Sequence, residues 1–140
     1  MSRYMWMRYE AVMITVGAWP WIDCDETKER ISRAVELGVS EKGARLDRID
    51  FHESYMSIVF SVDEKVKATS VVWSAREAMN REFAEVPPKG LAGFKLSRGL
   101  FSKQDFAICT LGTGVPDDIT KELLASAAAK RPRRRRVSEL

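Results

Sequence analysis

The chain of 140 residues has one histidine, His52, and two cysteines, Cys24 and Cys109. A closed structural zinc site needs four Cys/His ligands, so these three, spread along the chain, exclude one. The wide separation of the cysteines reads as two buried, reduced thiols rather than a bridge. Tyrosine is scarce too, with three residues, none of them beyond Tyr55. No apolar run approaches the roughly 20 residues of a membrane span, and nothing resembles a secretory signal. The expectation is a cytoplasmic protein with no membrane partner and no cofactor.

What is present fits one soluble domain. Apolar residues make up 45% and charged residues 31%, a composition that buries a core rather than staying disordered. The formal net charge of +3 is unevenly placed. Residues 1–129 carry 17 basic and 19 acidic side chains, a net of −2, whereas residues 130–140 carry six basic and one acidic, a net of +5. The domain organisation expected is therefore a slightly acidic body over 1–129 and a basic tail over 130–140.

Along the body, Glu10–Gly17 is a short β-branched run that reads as a first strand. Asp23 and Asp25 offer N-caps to a helix in which Thr27, Ile31, Ala34 and Val35 recur at helical spacing, with Gly38 as its stop. Arg45–Phe51 alternates imperfectly, and Tyr55–Val62 follows after His52-Glu53-Ser54, so the two read as an antiparallel hairpin. Thr69 or Ser70 can cap a helix whose stripe is Val72, Ala75, Met79, Phe83 and Val86, ended by Pro87-Pro88. Lys89–Gly99 is a connection, Asp105–Leu111 a fourth strand, and Gly112-Thr113-Gly114 a turn. Pro116 suits the first turn of a last helix on which Ile119, Leu123 and Ala127 stack. The order β-α-β-β-α-β-α predicts an α+β, ferredoxin-like split βαβ sandwich: a four-stranded antiparallel sheet with helices on one face.

Several groups are candidates for chemistry. His52 beside Glu53 reads as an exposed turn histidine, because no second ligand has matching spacing. Tyr55 and Ser57 share one side of their strand and can face a phosphate or be plain sheet surface. Asp63-Glu64 and Asp117-Asp118 sit at element ends, the latter pair where a helix dipole favours acids. Gly112-Thr113-Gly114 is a weak phosphate-loop signal beside two acids. Trp19 and Trp21 can stack on unpaired bases or pack over the sheet edge. Lys89, Lys95, Arg98 and Lys103 cluster around Phe94 and Phe101, a mix of charge and aromatics suited to nucleic acid. The strongest signal is Lys130, Arg131, Arg133, Arg134, Arg135 and Arg136, a run that cannot fold alone and seeks phosphate. A solubilising or transport-signal extension is its competing reading.

Four segments in this order resemble the TnpA-type single-tyrosine HUH transposases, also called insertion-sequence-200-like. They are Glu36-Leu37-Gly38-Val39 with Asp50, Tyr55–Val62, Ser70–Arg76 with Arg81-Glu82-Phe83, and Leu96–Phe101 with Gly114–Ile119. The resemblance implies a DNA-cleaving homodimer. Its metal is held by a His-hydrophobe-His pair and its nucleophile is a tyrosine on the last helix. Here the pair falls on Tyr55-Met56-Ser57, the tyrosine on Leu123, and a following glutamine on Ala127. With one histidine and no tyrosine beyond Tyr55, the resemblance implies a degenerate, non-catalytic member. The expected function is a nucleic-acid-binding protein on that scaffold, with structured RNA in a ribonucleoprotein such as the ribosome as the preferred partner. Hairpin DNA and a homodimeric interaction module are the alternatives.

Overall fold

The computed structural model describes residues 6–88, 100–110 and 117–130. Strand β1 (Trp6–Thr15) runs into a single 3-10 turn, Val16–Ala18, and then helix α1 (Asp25–Glu41). The hairpin β2 (Arg45–Phe51) and β3 (Tyr55–Asp63) follows, then α2 (Ala68–Glu82), β4 (Phe101–Thr110) and α3 (Asp117–Ala129). The sheet order is β2-β3-β1-β4 with every pairing antiparallel, which is the split βαβ arrangement expected.

Alternation along β1 and β3 sorts their residues onto two faces. Ala11 and Met13 of β1, with Met56, Ile58, Phe60 and Val62 of β3, form one buried core with α1 and α2. Val12 and Ile14 point the other way and form a second cluster with Ala18 and Ala127. The two helices of the split unit thus cover one face, and α3 lies against the other. A strand with four consecutive apolar residues, Ala11–Ile14, has to be covered on both sides.

Local differences from the sequence reading each have a physical reason. Pairing with β3 extends β1 back to Trp6, which partners Asp63. A bulge between Leu46 and Arg48 accounts for the imperfect alternation of β2, because it puts two successive polar residues on one side. Gly38 is not a stop. Helix α1 continues to Glu41, and Gly38 is where α2 crosses it, with the Ser74 hydroxyl donating to the Gly38 carbonyl at 2.6 Å. The stop is Gly43, at φ +70°, a left-handed value that glycine adopts without strain.

The cap of α2 is Lys67, and the Ser70 hydroxyl donates back to the Lys67 carbonyl at 2.7 Å. That helix ends at Glu82, so Val86 leaves the stripe and is 62% exposed. Arg30 closes this end: its guanidinium donates to the carbonyls of Glu82 (3.1 Å) and Val86 (2.9 Å) and lies 4.3 Å over the Phe83 ring. On α3, Leu123 and Ala127 pack as expected, whereas Ile119 is exposed. Leu111, the Gly112-Thr113-Gly114 turn and Pro116 lie outside the described residues.

Candidate nucleic-acid interface

The sheet face beneath α3 is where the resemblance would place a catalytic centre. Register sets Ile14 against Tyr55 and Val12 against Ser57 on β3, and Val12 against Ala107 on β4. Onto this surface α3 brings Leu123, Leu124 and Ala127, which close over Val12, Ile14, Ala18 and Tyr55. Leu123 and Ala127, on which the resemblance would set a tyrosine and a glutamine, are packing residues. Burial pushes the Tyr55 phenol above its ordinary range, and the charge of Asp117 raises it further. On its other side Tyr55 stacks with the exposed His52 ring, centroids 4.1 Å apart and planes 10° from parallel.

Ser57 does not present a free hydroxyl to a phosphate, because its Oγ donates to Glu10 Oε2 at 3.1 Å. A carboxylate at that site repels an anion. Among the described residues no group of three His, Cys, Asp or Glu side chains is placed to hold a metal ion. The outer part of the same face, toward β2, is charged but balanced. Asp47 receives Ser61 Oγ at 2.5 Å, Arg45 Nε at 2.9 Å and Arg8 Nε at 3.3 Å. Partial burial pushes the Asp47 carboxyl up, and the combined bonds from Ser61, Arg45 and Arg8 outweigh it, so the group sits below its ordinary range. Arg48 likewise pairs with Asp50 at 2.9 Å. Matched arginines leave this side of the sheet with little net pull on phosphate.

Two more basic residues lie at the opposite edge, Lys103 exposed on β4 and Lys130 paired with a carboxylate. Lys130, directly after α3, places its Nζ 3.3 and 3.4 Å from the two Asp105 oxygens and 3.2 Å from Gln104 Oε1. Asp105 is 3% exposed and also accepts from Ser102 Oγ at 2.7 Å. Burial alone would raise its carboxyl, but bonds from Ser126, Ser102 and Lys130, with the Lys130 charge, hold it below the usual range. Lys103 and Lys130 thus reach one cleft of about 340 Å³, bounded by Val16-Gly17, Ser102–Asp105 and Ala127. The sequence reading put these lysines in separate clusters and missed Asp105, whose carboxylate pairs with Lys130 directly after α3.

The other basic candidates, Lys89, Lys95, Arg98, Arg131, Arg133, Arg134, Arg135 and Arg136, lie outside the described residues, as does Phe94. Of the aromatic candidates, Phe101 departs from the expectation, and Trp21 and Trp19 take the packing alternative rather than base stacking. Phe101 is fully buried rather than part of a surface mix, and Trp21 is 1% exposed, packed edge-on against Phe83 and Phe101. Trp19 packs against the same core. Asp63 serves its turn, accepting from the Lys65 backbone amide at 2.9 Å, and Asp117 and Asp118 occupy the first turn of α3. The two cysteines are not joined in a disulfide, and both are half-buried rather than buried.

No protein-family model matches this sequence, and no curated protein matches it. Solved structures do. A crystal structure of a candidate transposase from Deinococcus radiodurans R1 is similar with a TM-score of 0.63 at 11% identity, over 95% of each chain. A REP-associated tyrosine transposase bound to a REP hairpin is similar with a TM-score of 0.54 at 5% identity. That likeness covers 88% of this chain and 66% of the other. At these identities the likeness is one of fold: this chain has the architecture of proteins described as transposases.

Proposed function

We propose that the protein is a non-catalytic, hairpin-binding nucleic-acid protein built on a transposase-like scaffold. The observation that carries this reading is the closed apolar contact of α3 on the sheet. Where the resemblance implies a metal-bound phosphate and an exposed nucleophile, Leu123, Leu124 and Ala127 pack over the buried Val12 and Ile14 and against the partly buried Tyr55. With one histidine and no tyrosine beyond Tyr55, the chain lacks the residues for a paired-histidine metal site with a tyrosine nucleophile on its last helix.

Binding is then the activity left to the scaffold. The neighbour described as bound to a REP hairpin favours a hairpin target, and the basic segment that starts beside the Lys103–Lys130 cleft supplies phosphate contacts that position without reading sequence. The ribonucleoprotein setting expected from the arginine run gains no support from the structural neighbours, so structured RNA becomes the comparison arm of the test. Binding of a DNA hairpin and of a structured RNA is measured at matched salt, with and without Mg²⁺ or Mn²⁺. The expected outcome is tighter binding of the DNA hairpin, with no strand cleavage. Tighter RNA binding would restore the first expectation, and metal-dependent nicking would refute the non-catalytic reading.

A further inference from the structure

Near its start, β4 leaves the ladder. Met13 of β1 partners Phe106, and the next pair is Thr15 with Phe101, so residues 102–105 bulge out between them. This bulge is tied together. Ser102 Oγ accepts the amides of Gln104 at 3.3 Å and Asp105 at 3.0 Å, and donates to the Asp105 carboxylate at 2.7 Å. A regular strand would send alternate side chains to opposite faces, whereas here four successive ones border the cleft at the β4–α3 edge; bulges are known to re-aim side chains in this way. The facing wall is also fixed. Gly17 and Ala18 follow one another at φ +68° and +54°, a left-handed region where a β-carbon is strained and persists only if its surroundings hold it. The Val16 amide donates to the Leu100 carbonyl at 2.9 Å, and Thr15 Oγ1 to the carbonyls of Trp19 and Ser54 at 2.9 and 3.0 Å.

The cleft volume of about 340 Å³ falls in the range of sites for small organic molecules, roughly 300–1,000 Å³. Its charge is not balanced. Lys103 and Lys130 face the single carboxylate of Asp105, which is already engaged by Lys130 and Ser102. Lys103 has no hydrogen-bond or ion-pair partner among the described residues. Gln104 accepts from the Lys130 ammonium through Oε1 at 3.2 Å, which leaves its NH2 as a further donor. The carbonyl end of α3 disfavours negative charge beside it, so an anion is better placed at the Lys103–Gln104 rim. Val16 and Ala127 supply the apolar wall. A nucleic-acid phosphodiester continues on both sides of its charge, whereas a cleft bounded by three elements suits a charge at the end of a short body.

We propose that this cleft binds a small organic anion, its carboxylate or phosphate head held by Lys103 and the Gln104 amide and its compact apolar body set against Val16 and Ala127. The site goes beyond the nucleic-acid reading and does not depend on it. The test titrates full-length, ¹⁵N-labelled protein with benzoate and with phenyl phosphate, which share a ring and differ in the head, and follows the backbone amide shifts. Benzamide carries the body without the charge, and inorganic phosphate the charge without the body. At least one of the two aromatic anions is expected to shift the amides of residues 16–18 and 102–105 with millimolar affinity, and the one that binds more tightly identifies the head. Lys103→Gln should weaken that binding about 10-fold and Gln104→Ala about 3-fold. Both side chains are exposed, so neither change should alter the melting temperature of the free protein. The site is overturned if neither anion shifts those amides at about 10 mM, or if Lys103→Gln leaves the affinity unchanged. Equal binding of benzamide or of inorganic phosphate would overturn it as well, the latter because charge alone would then account for the contact.

Discussion

Replacing Gly38 with alanine sets two effects of known sign against each other. Alanine is favoured over glycine inside a helix by about 1 kcal/mol, so an unconstrained position would gain stability. At Gly38 the added Cβ would lie 2.6 Å from the Ser74 carbonyl oxygen, 2.7 Å from the Ala75 Cα and 2.9 Å from the Ala75 nitrogen. All three are backbone atoms, which cannot rotate away, so the helices must part. Parting loosens Val35 and Val39 of α1 against Val71 and Ala75 of α2, all four of which are fully buried, at an overpacking cost of about 1–3 kcal/mol. It also stretches the buried bond from Ser74 Oγ to the Gly38 carbonyl, worth about 1 kcal/mol or more if a group is left unsatisfied. The clash outweighs the propensity gain, for a net loss of about 1–3 kcal/mol. In a domain of this size that lowers the melting temperature by about 4–12 °C. Thermal unfolding followed by circular dichroism measures it, with Ser74→Ala as the control that removes the hydrogen bond alone and costs about 1 kcal/mol. A Gly38→Ala melting temperature equal to or above wild type would refute the reasoning.

Two further outcomes follow from the β4–α3 edge. Because the Asp105 carboxyl is held below its ordinary range, its contribution to stability is present above the unfolded value near 3.8 and disappears as pH falls through the lower folded value. Asp105→Asn should therefore destabilise the protein by about 1–3 kcal/mol at pH 7, and the gap between variant and wild-type melting temperatures should close as the acid range is entered. A constant gap across pH would contradict the charged-carboxylate account. Removing residues 131–140 while keeping Lys130 should reduce the log–log salt slope for duplex-stem binding by about 4.5, from five arginines at roughly 0.9 each. An unchanged slope would mean that the arginines do not contact phosphate.

The element order was legible because its signals are local: β-branched runs, a short hairpin link, and apolar residues at helical spacing. The two helices of the split unit cover one face as expected, and the unbroken Ala11–Ile14 run also carried the information that the other face of β1 is covered, by α3. Features that depend on contacts between distant segments were not legible. Gly38 looks like a helix stop until α2 is seen to cross it, and Val86 continues a stripe that the helix does not reach. Asp105 gives no sign of burial at the start of an apolar run, since its partners Ser126 and Lys130 lie on another element. The missing second histidine and the missing distal tyrosine, by contrast, are plain from composition.

The central claim, that this scaffold binds hairpins without cutting them, is tested most directly by one incubation read out twice. Protein and an end-labelled DNA hairpin with an unpaired flank are mixed in the presence of Mg²⁺ or Mn²⁺, then resolved on native and denaturing gels. The account expects a shifted complex on the native gel, with intact DNA and no covalent protein–DNA adduct on the denaturing gel. A nicked product or a covalent adduct would contradict it, and so would the absence of any shift.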